Sequence, residues 1–126
     1  MKSPLLLGAI AAAIALGACA HQDGPIDLAD QTTKAVYNAD LDGTRAHFDD
    51  DLKQQVTRES IGALSDKMHA LGTYQGLKAT TSDPDKGRYD FEADFASGIM
   101  LVEMRVDPSG KIGAYRIASA SAVKAN

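Results

Sequence analysis

Three groups of residues in this chain have the types and spacing to do chemistry. The first is Cys19, the only cysteine, which closes the run Leu16-Gly17-Ala18-Cys19. A lone thiol cannot form an internal disulfide, so its chemistry is covalent modification or none. The second is His47 with Asp51, whose i,i+4 spacing would offer two metal ligands on one helical face. A third ligand is missing, because His69 falls on another helix and His21 lies near the N-terminus. The run Asp49-Asp50-Asp51 reads more simply as a solvated face, and no metal site is predicted. The third group is Tyr37, Tyr74 and Tyr89 with Asp94 and Glu103, the pieces of an acid–tyrosine site. A carboxylate base needs an apolar pocket to raise its pKa. The strand pattern described below instead turns Asp90, Glu92, Asp94 and Glu103 toward solvent. No phosphate-binding glycine loop, nucleophile elbow or HExxH motif occurs, and no cofactor is predicted.

The residues before Cys19 give it a context. Met1 and Lys2 precede an apolar stretch, Leu5 to Leu16, that is too short to span a bilayer comfortably. With small residues at 17 and 18 and an aliphatic residue at 16, the segment resembles a bacterial lipobox. The resemblance implies that residues 1–18 are a removed signal peptide and that Cys19 becomes a lipid-modified N-terminus. Residues 19–25 are then an acylated tether. Each buried CH₂ of an acyl chain contributes about 0.8 kcal/mol, so several chains hold a small domain on a membrane. Ala20 stands where Asp would signal inner-membrane retention, which implies an outer-membrane anchor facing the periplasm. With Cys19 acylated, the folded part holds together by packing alone.

About a hundred residues remain, enough for one small domain with a modest core. The chain carries 13 basic against 17 acidic residues, a net −4, and losing Lys2 with the leader makes the balance more negative. An acidic domain without a basic stripe argues against nucleic acid as a partner, and against electrostatic adhesion to anionic lipid.

The elements follow from periodicity. Pro25 suits a first helical turn, and Leu28, Thr32, Ala35, Val36 and Ala39 form one face of a helix over Ile26–Asp40. Asp42-Gly43 is read as its break. A second helix is expected from Thr44 to about Leu52, with Phe48 and Leu52 facing inward. Thr57 is the expected N-cap of a third helix, with Glu59 in its first turn, a stripe of Ile61, Leu64, Met68 and Leu71, and Gly72 as the stop. The period then changes from 3.6 to 2. Strands are expected over Tyr74–Thr81, from Arg88 to Phe95, from Ile99 to Val106, and over Lys111–Ser119. Turns fall at Asp83–Gly87, Ala96-Ser97-Gly98 and Asp107-Pro108-Ser109-Gly110. The predicted fold is α+β: N-terminal helices packed on one face of a four-stranded antiparallel meander spanning residues 26–120, with 121–126 a frayed tail.

Register can be read from the turns. A hairpin centred on Ser97 sets Phe91 opposite Val102, Ala93 opposite Met100 and Tyr89 opposite Met104, all facing the helices. The next turn is expected to pair Leu101 with Ile117 and Glu103 with Tyr115. That register places Ile99, Leu101, Tyr115 and Ile117 together on the outward sheet face. Such a patch is a candidate interaction face for a partner or a second copy, unless the tether or the tail, through Val123, folds over it.

The order of elements resembles small cystatin-like and nuclear-transport-factor-2-like domains. It is most similar to a bacterial family of unknown function found alone in lipoproteins or fused to α/β-hydrolases. The matching residues are Tyr37-Asn38-Ala39-Asp40, Gly43 with Phe48-Asp49, the exit Leu71-Gly72, and Ser109-Gly110-Lys111-Ile112-Gly113. This resemblance implies a fold and no catalytic residue, since the scaffold hosts isomerases, dehydratases and plain binding modules. The leading expectation is a lipid-anchored periplasmic binding or protein-interaction module using its open sheet face. The alternatives are a small pocket enzyme or an accessory domain to a hydrolase, and an envelope protein that dimerises sheet to sheet.

Overall fold

Proline at the first helical position and an acid in the first turn open helix α1, Pro25–Tyr37, in the computed structural model, which describes residues 24–120. Its buried face is Ala29, Thr32, Thr33, Ala35 and Val36. The Thr32 hydroxyl donates to the Leu28 carbonyl at 2.9 Å, so burying it leaves no orphan donor. The helix stops earlier than its periodicity suggests, with Asn38 as C-cap and Ala39 at φ 55°.

The expected helix from Thr44 to Leu52 is instead two short ones, α2 Leu41–Arg45 and α3 Asp50–Gln55. Asp42-Gly43 therefore lies inside a helix. Two aspartate caps dictate the division. Asp40 accepts from the Gly43 N–H at 3.0 Å and Asp49 from the Leu52 N–H at 2.9 Å. Between them Phe48 forms a parallel bridge with Ile112, flanked by Asp49 N–H to Ile112 O at 2.9 Å and Ile112 N–H to His47 O at 2.7 Å. Helix α4, Arg58–Ala70, begins as expected: Thr57 and Ser60 cap each other reciprocally, each at 3.1 Å. Ile61 and Met68 are buried, Leu64 and Leu71 half-buried, and Gly72 leaves the helix at φ 96°.

The strands are β1 Tyr74–Asp83, β2 Arg88–Phe95, β3 Gly98–Val106 and β4 Ile112–Ser119, in sheet order β1-β2-β3-β4, all antiparallel. A short 3₁₀ turn, Pro84–Lys86, joins the first two and ends on Gly87 at φ 68°. A Cβ on Gly87 would run into the Val106 carbonyl oxygen, so the site requires glycine on two counts. The β2–β3 register is the one read from sequence: Phe91 faces Val102, Ala93 faces Met100 and Tyr89 faces Met104. The helices pack against the sheet, and Val36, Phe48, Ile61 and Met68 join Phe91, Phe95, Val102 and Ile112 in one core. No described helix is long and apolar enough to cross a membrane.

The β3–β4 register differs from expectation by one residue. Val106 pairs with Ile112 but Arg105 pairs with Ala114, leaving Gly113 as a bulge. Leu101 therefore faces Ala118, and Val102 faces Ile117. A one-residue slip sends every following side chain to the other face. Ile117 is 8% exposed and belongs to the core, and Tyr115 is packed against it. The bulge needs glycine because the space a Cβ would take holds the Asp107 carboxylate and the Arg105 guanidinium.

Candidate functional site

The outward sheet face is mainly charged, not apolar. Of the four residues expected to form an apolar patch, only Ile99, 37% exposed, and the half-buried Leu101 are there. Tyr115 and Ile117 are corrected to the inner face. The Tyr115 hydroxyl lies 2.7 Å from Thr33 Oγ1, and burial pushes its pKa upward, an effect the Thr33 hydrogen bond opposes. Around the two remaining apolar residues stand ion pairs: Lys78 with Glu92 and Asp94 at 3.8 and 3.9 Å, and Arg116 with Glu103 at 3.1 Å. Asp90 accepts from the Thr81 hydroxyl at 2.9 Å.

The other sequence candidates do not converge. Cys19, His21 and the tail residue Val123 lie outside the described residues. His47 Nε2 is 3.2 Å from Gln31 Oε1, and Asp51 belongs to the separate helix α3. Among the described residues no group of three or more His, Cys, Asp or Glu side chains is placed to hold a metal ion. Tyr89 points into the core side of β2 while Asp94 points out, so they share no pocket. The tyrosine–acid pair that does form is Tyr74 with Asp30, at 2.6 Å. Burial first, and then this bond, push the Tyr74 pKa upward. Lys34 holds the same carboxylate at 3.1 Å, and Tyr37 stacks on His69 nearby with ring centres 4.0 Å apart.

The structure also holds a groove that no single stretch of sequence announces. It holds about 430 Å³ and crosses the β2, β3 and β4 strands at the bulged end of the sheet. Arg88 and Asp90 come from β2, Glu103 and Arg105 from β3, and Gly113, Ala114 and Arg116 from β4, with Leu52 and Gln55 of α3 along its margin. Three of the chain's five arginines line it. Arg88 and Arg105 are direct cross-strand partners, a like-charge juxtaposition that opposes pairing. The Arg88 guanidinium makes no hydrogen bond or ion pair among the described residues.

Beside the groove, Asp49 and Asp107 share a hydrogen bond between carboxyl groups. The Leu52 N–H, foremost, and then Asp107 hold Asp49 below its usual range. The bond to Asp49 pushes Asp107 upward, burial and the Asp49 charge add to this, and Arg105, 3.8 Å away, works against it. The two titrate as one unit. The sign follows from linkage. The raised Asp107 pKa contributes stability that is full below the ordinary carboxylate value and lost as pH rises through the raised one. The Asp49 effect has the opposite sense and is lost only as pH falls through its lowered value. Asp107→Asn is therefore expected to raise the melting temperature at pH 7 and to flatten its rise toward about pH 4. Thermal melts across that range measure this; a lower melting temperature at pH 7 would contradict the shared proton.

Compared with known proteins, the chain matches no family model, no curated protein and no solved structure.

Proposed function

We propose that this chain is a lipid-anchored binding module of the bacterial cell envelope, held by acylated Cys19 on the periplasmic side of the outer membrane. Its outward sheet face meets the ligand or partner. The groove is the observation that supports this reading. The space between helices and sheet is filled by core side chains, whereas a concavity with an unpaired arginine opens at the bulged end of the sheet, lined mostly by outward residues and also by Met104, Tyr115, Leu52 and Gln55. A volume of about 430 Å³ falls in the range of small-molecule sites. The order of leader, tether and a single α+β domain is compatible with the cystatin-like and lipoprotein likenesses drawn from sequence. A pocket enzyme would need a carboxylate held in an apolar cavity. The outward acids Glu92, Asp94 and Glu103 are instead ion-paired, and Asp30 is engaged by Tyr74 and Lys34.

Anchoring is tested at Cys19. Cys19→Ser removes the thiol that would receive the lipid, so cells fed a fatty-acid probe are expected to show complete loss of label and an uncleaved precursor. Continued lipid incorporation in the variant would overturn the anchor.

A further inference from the structure

We infer that the groove is an oxyanion site in which Arg88 and Arg105 together receive the carboxylate or phosphate of a small soluble molecule whose apolar part lies toward Leu52. This rests on the reading of the chain as a binding module and gives that module a ligand class.

Four observations carry it. The first is the uncompensated charge. Elsewhere on this face Lys78 pairs with Glu92 and Asp94 and Glu103 pairs with Arg116, and beside the groove Arg105 pairs with Asp107 at 3.8 Å. Arg88 has no such partner among the described residues, although Arg105 stands directly opposite. Two guanidinium groups on paired strand positions repel, and with Asp107 engaging only Arg105 the pair keeps a net positive charge that an anion would offset. The second is residue type. All three cations of the groove are arginines, in a chain whose net charge is −4. The guanidinium is a planar fork that matches a carboxylate or phosphate with two parallel hydrogen bonds, which a lysine ammonium does not.

The third observation is space. Gly113 and Ala114 line the groove on the β4 side, and the absence of a side chain at Gly113 is what lets the Arg105 guanidinium lie there. Leu52 supplies an apolar margin. The fourth is position, which sets the groove apart from the end of the domain that the tether holds and so favours a soluble anion over a lipid headgroup. The start of α1 meets β1 at Gly76 and Leu77, where β1 faces Asp94 and Ala93 of β2. Arg88 is at the other end of β2, about 20 Å along the strand. The stretch from Cys19 to Gly24 spans at most about 20 Å, so the tether ties the far end of the sheet to the membrane. The groove therefore lies at the end of the sheet away from the tether's attachment.

The test uses the acylated protein beginning at Cys19 in phosphatidylcholine nanodiscs at low salt, with phenyl phosphate, benzoate and inorganic phosphate as probes in calorimetric titrations. Saturable one-to-one binding is expected, tighter for phenyl phosphate than for inorganic phosphate, and weakening as salt is added. Arg88→Gln and Arg105→Gln are each expected to weaken it at least tenfold, while Arg58→Gln, on α4 and outside the groove, leaves it unchanged. Both groove arginines are exposed, so the variants should fold, and Arg88→Gln should keep or raise the melting temperature because it relieves a repulsion. No saturable binding of any probe, or binding indifferent to both substitutions, overturns the inference. Repeating the titration in phosphatidylglycerol nanodiscs distinguishes the sources. Unchanged affinity supports a soluble anion, and competition by the anionic lipid overturns it in favour of a headgroup site. Failure here leaves the Cys19 labelling result untouched, and should labelling fail the chain is titrated without nanodiscs, where the same loss on Arg88→Gln and Arg105→Gln is expected.

Discussion

Ile117→Asp is expected to cost the domain about 4 kcal/mol or more of stability, whereas Leu101→Lys costs it little. An unbulged hairpin would make the two positions neighbours on one exposed face, and the bulge at Gly113 puts them on opposite faces. Ile117 is 8% exposed and faces Val102, which is fully buried. Replacing it removes about 1.5–3 kcal/mol of apolar burial and places a carboxylate where water cannot follow. The total, about 4 kcal/mol or more, is a large share of the roughly 5–15 kcal/mol that holds a small domain together. Aspartate is the informative choice, because a lysine on an edge strand could carry its charge out along its own stem. Leu101 is half-buried and faces Glu92 on one neighbour and Ala118 on the other. A lysine there meets an opposite charge, and its expected cost stays below about 1 kcal/mol. Circular dichroism with urea titration measures both. Equal, small losses would restore the unbulged register and the apolar patch with it.

Phe48→Ala is expected to cost about 3–5 kcal/mol, the range for removing a buried aromatic ring. Phe48 is 1% exposed, and its ring centre lies 6.2 Å from that of Tyr115. Its effect should reach past the cavity it leaves. The backbone at Phe48 is bridged to Ile112, and the hydrogen bonds of His47 and Asp49 to Ile112 tie the segment between α2 and α3 to the start of β4. Loosening that segment loosens the edge of the sheet that bears the groove. Urea denaturation is expected to show a lower midpoint with little change in slope. Amide exchange should speed up at Ile112 more than at Val102. A loss well under 1 kcal/mol would mean that Phe48 belongs to the amphipathic helix its spacing to Leu52 suggests, and not to the bridge.

Much of the fold is legible in the amino-acid sequence alone. The alternation in Tyr89–Phe95 and Met100–Val106 sets the β2–β3 register correctly because that sheet has one buried face. Only one pairing keeps Phe91, Ala93, Met100 and Val102 together on it. Thr57, Gly72 and Gly87 mark their caps and turn for local reasons, a hydroxyl that accepts a backbone N–H and two backbones at positive φ. Chain order and short connections then leave a meander under helices as the arrangement that buries both apolar surfaces.

Where sequence and structure part, the cause is competition from partners distant along the chain. Phe48 and Leu52 have helical spacing, but Asp49 caps a new helix and Ile112 takes the backbone on either side of Phe48. Tyr115 and Ile117 alternate as an exposed strand would if the hairpin held no bulge. At the bulge the side chains of Asp107 and Arg105 occupy the space beside Gly113, and no periodicity in β4 records that. The groove is hidden from sequence for the same reason. Its arginines at 88, 105 and 116 are scattered singly along the chain, each within a strand that alternates charge and apolar residues. Local pattern therefore suffices for the buried positions of β2 and β3 and for the cap of α4. It does not suffice for the face that β4 turns inward, nor for the meeting of three arginines over Gly113. Those outcomes depend on side-chain volumes brought together from separate strands, which local propensity does not encode.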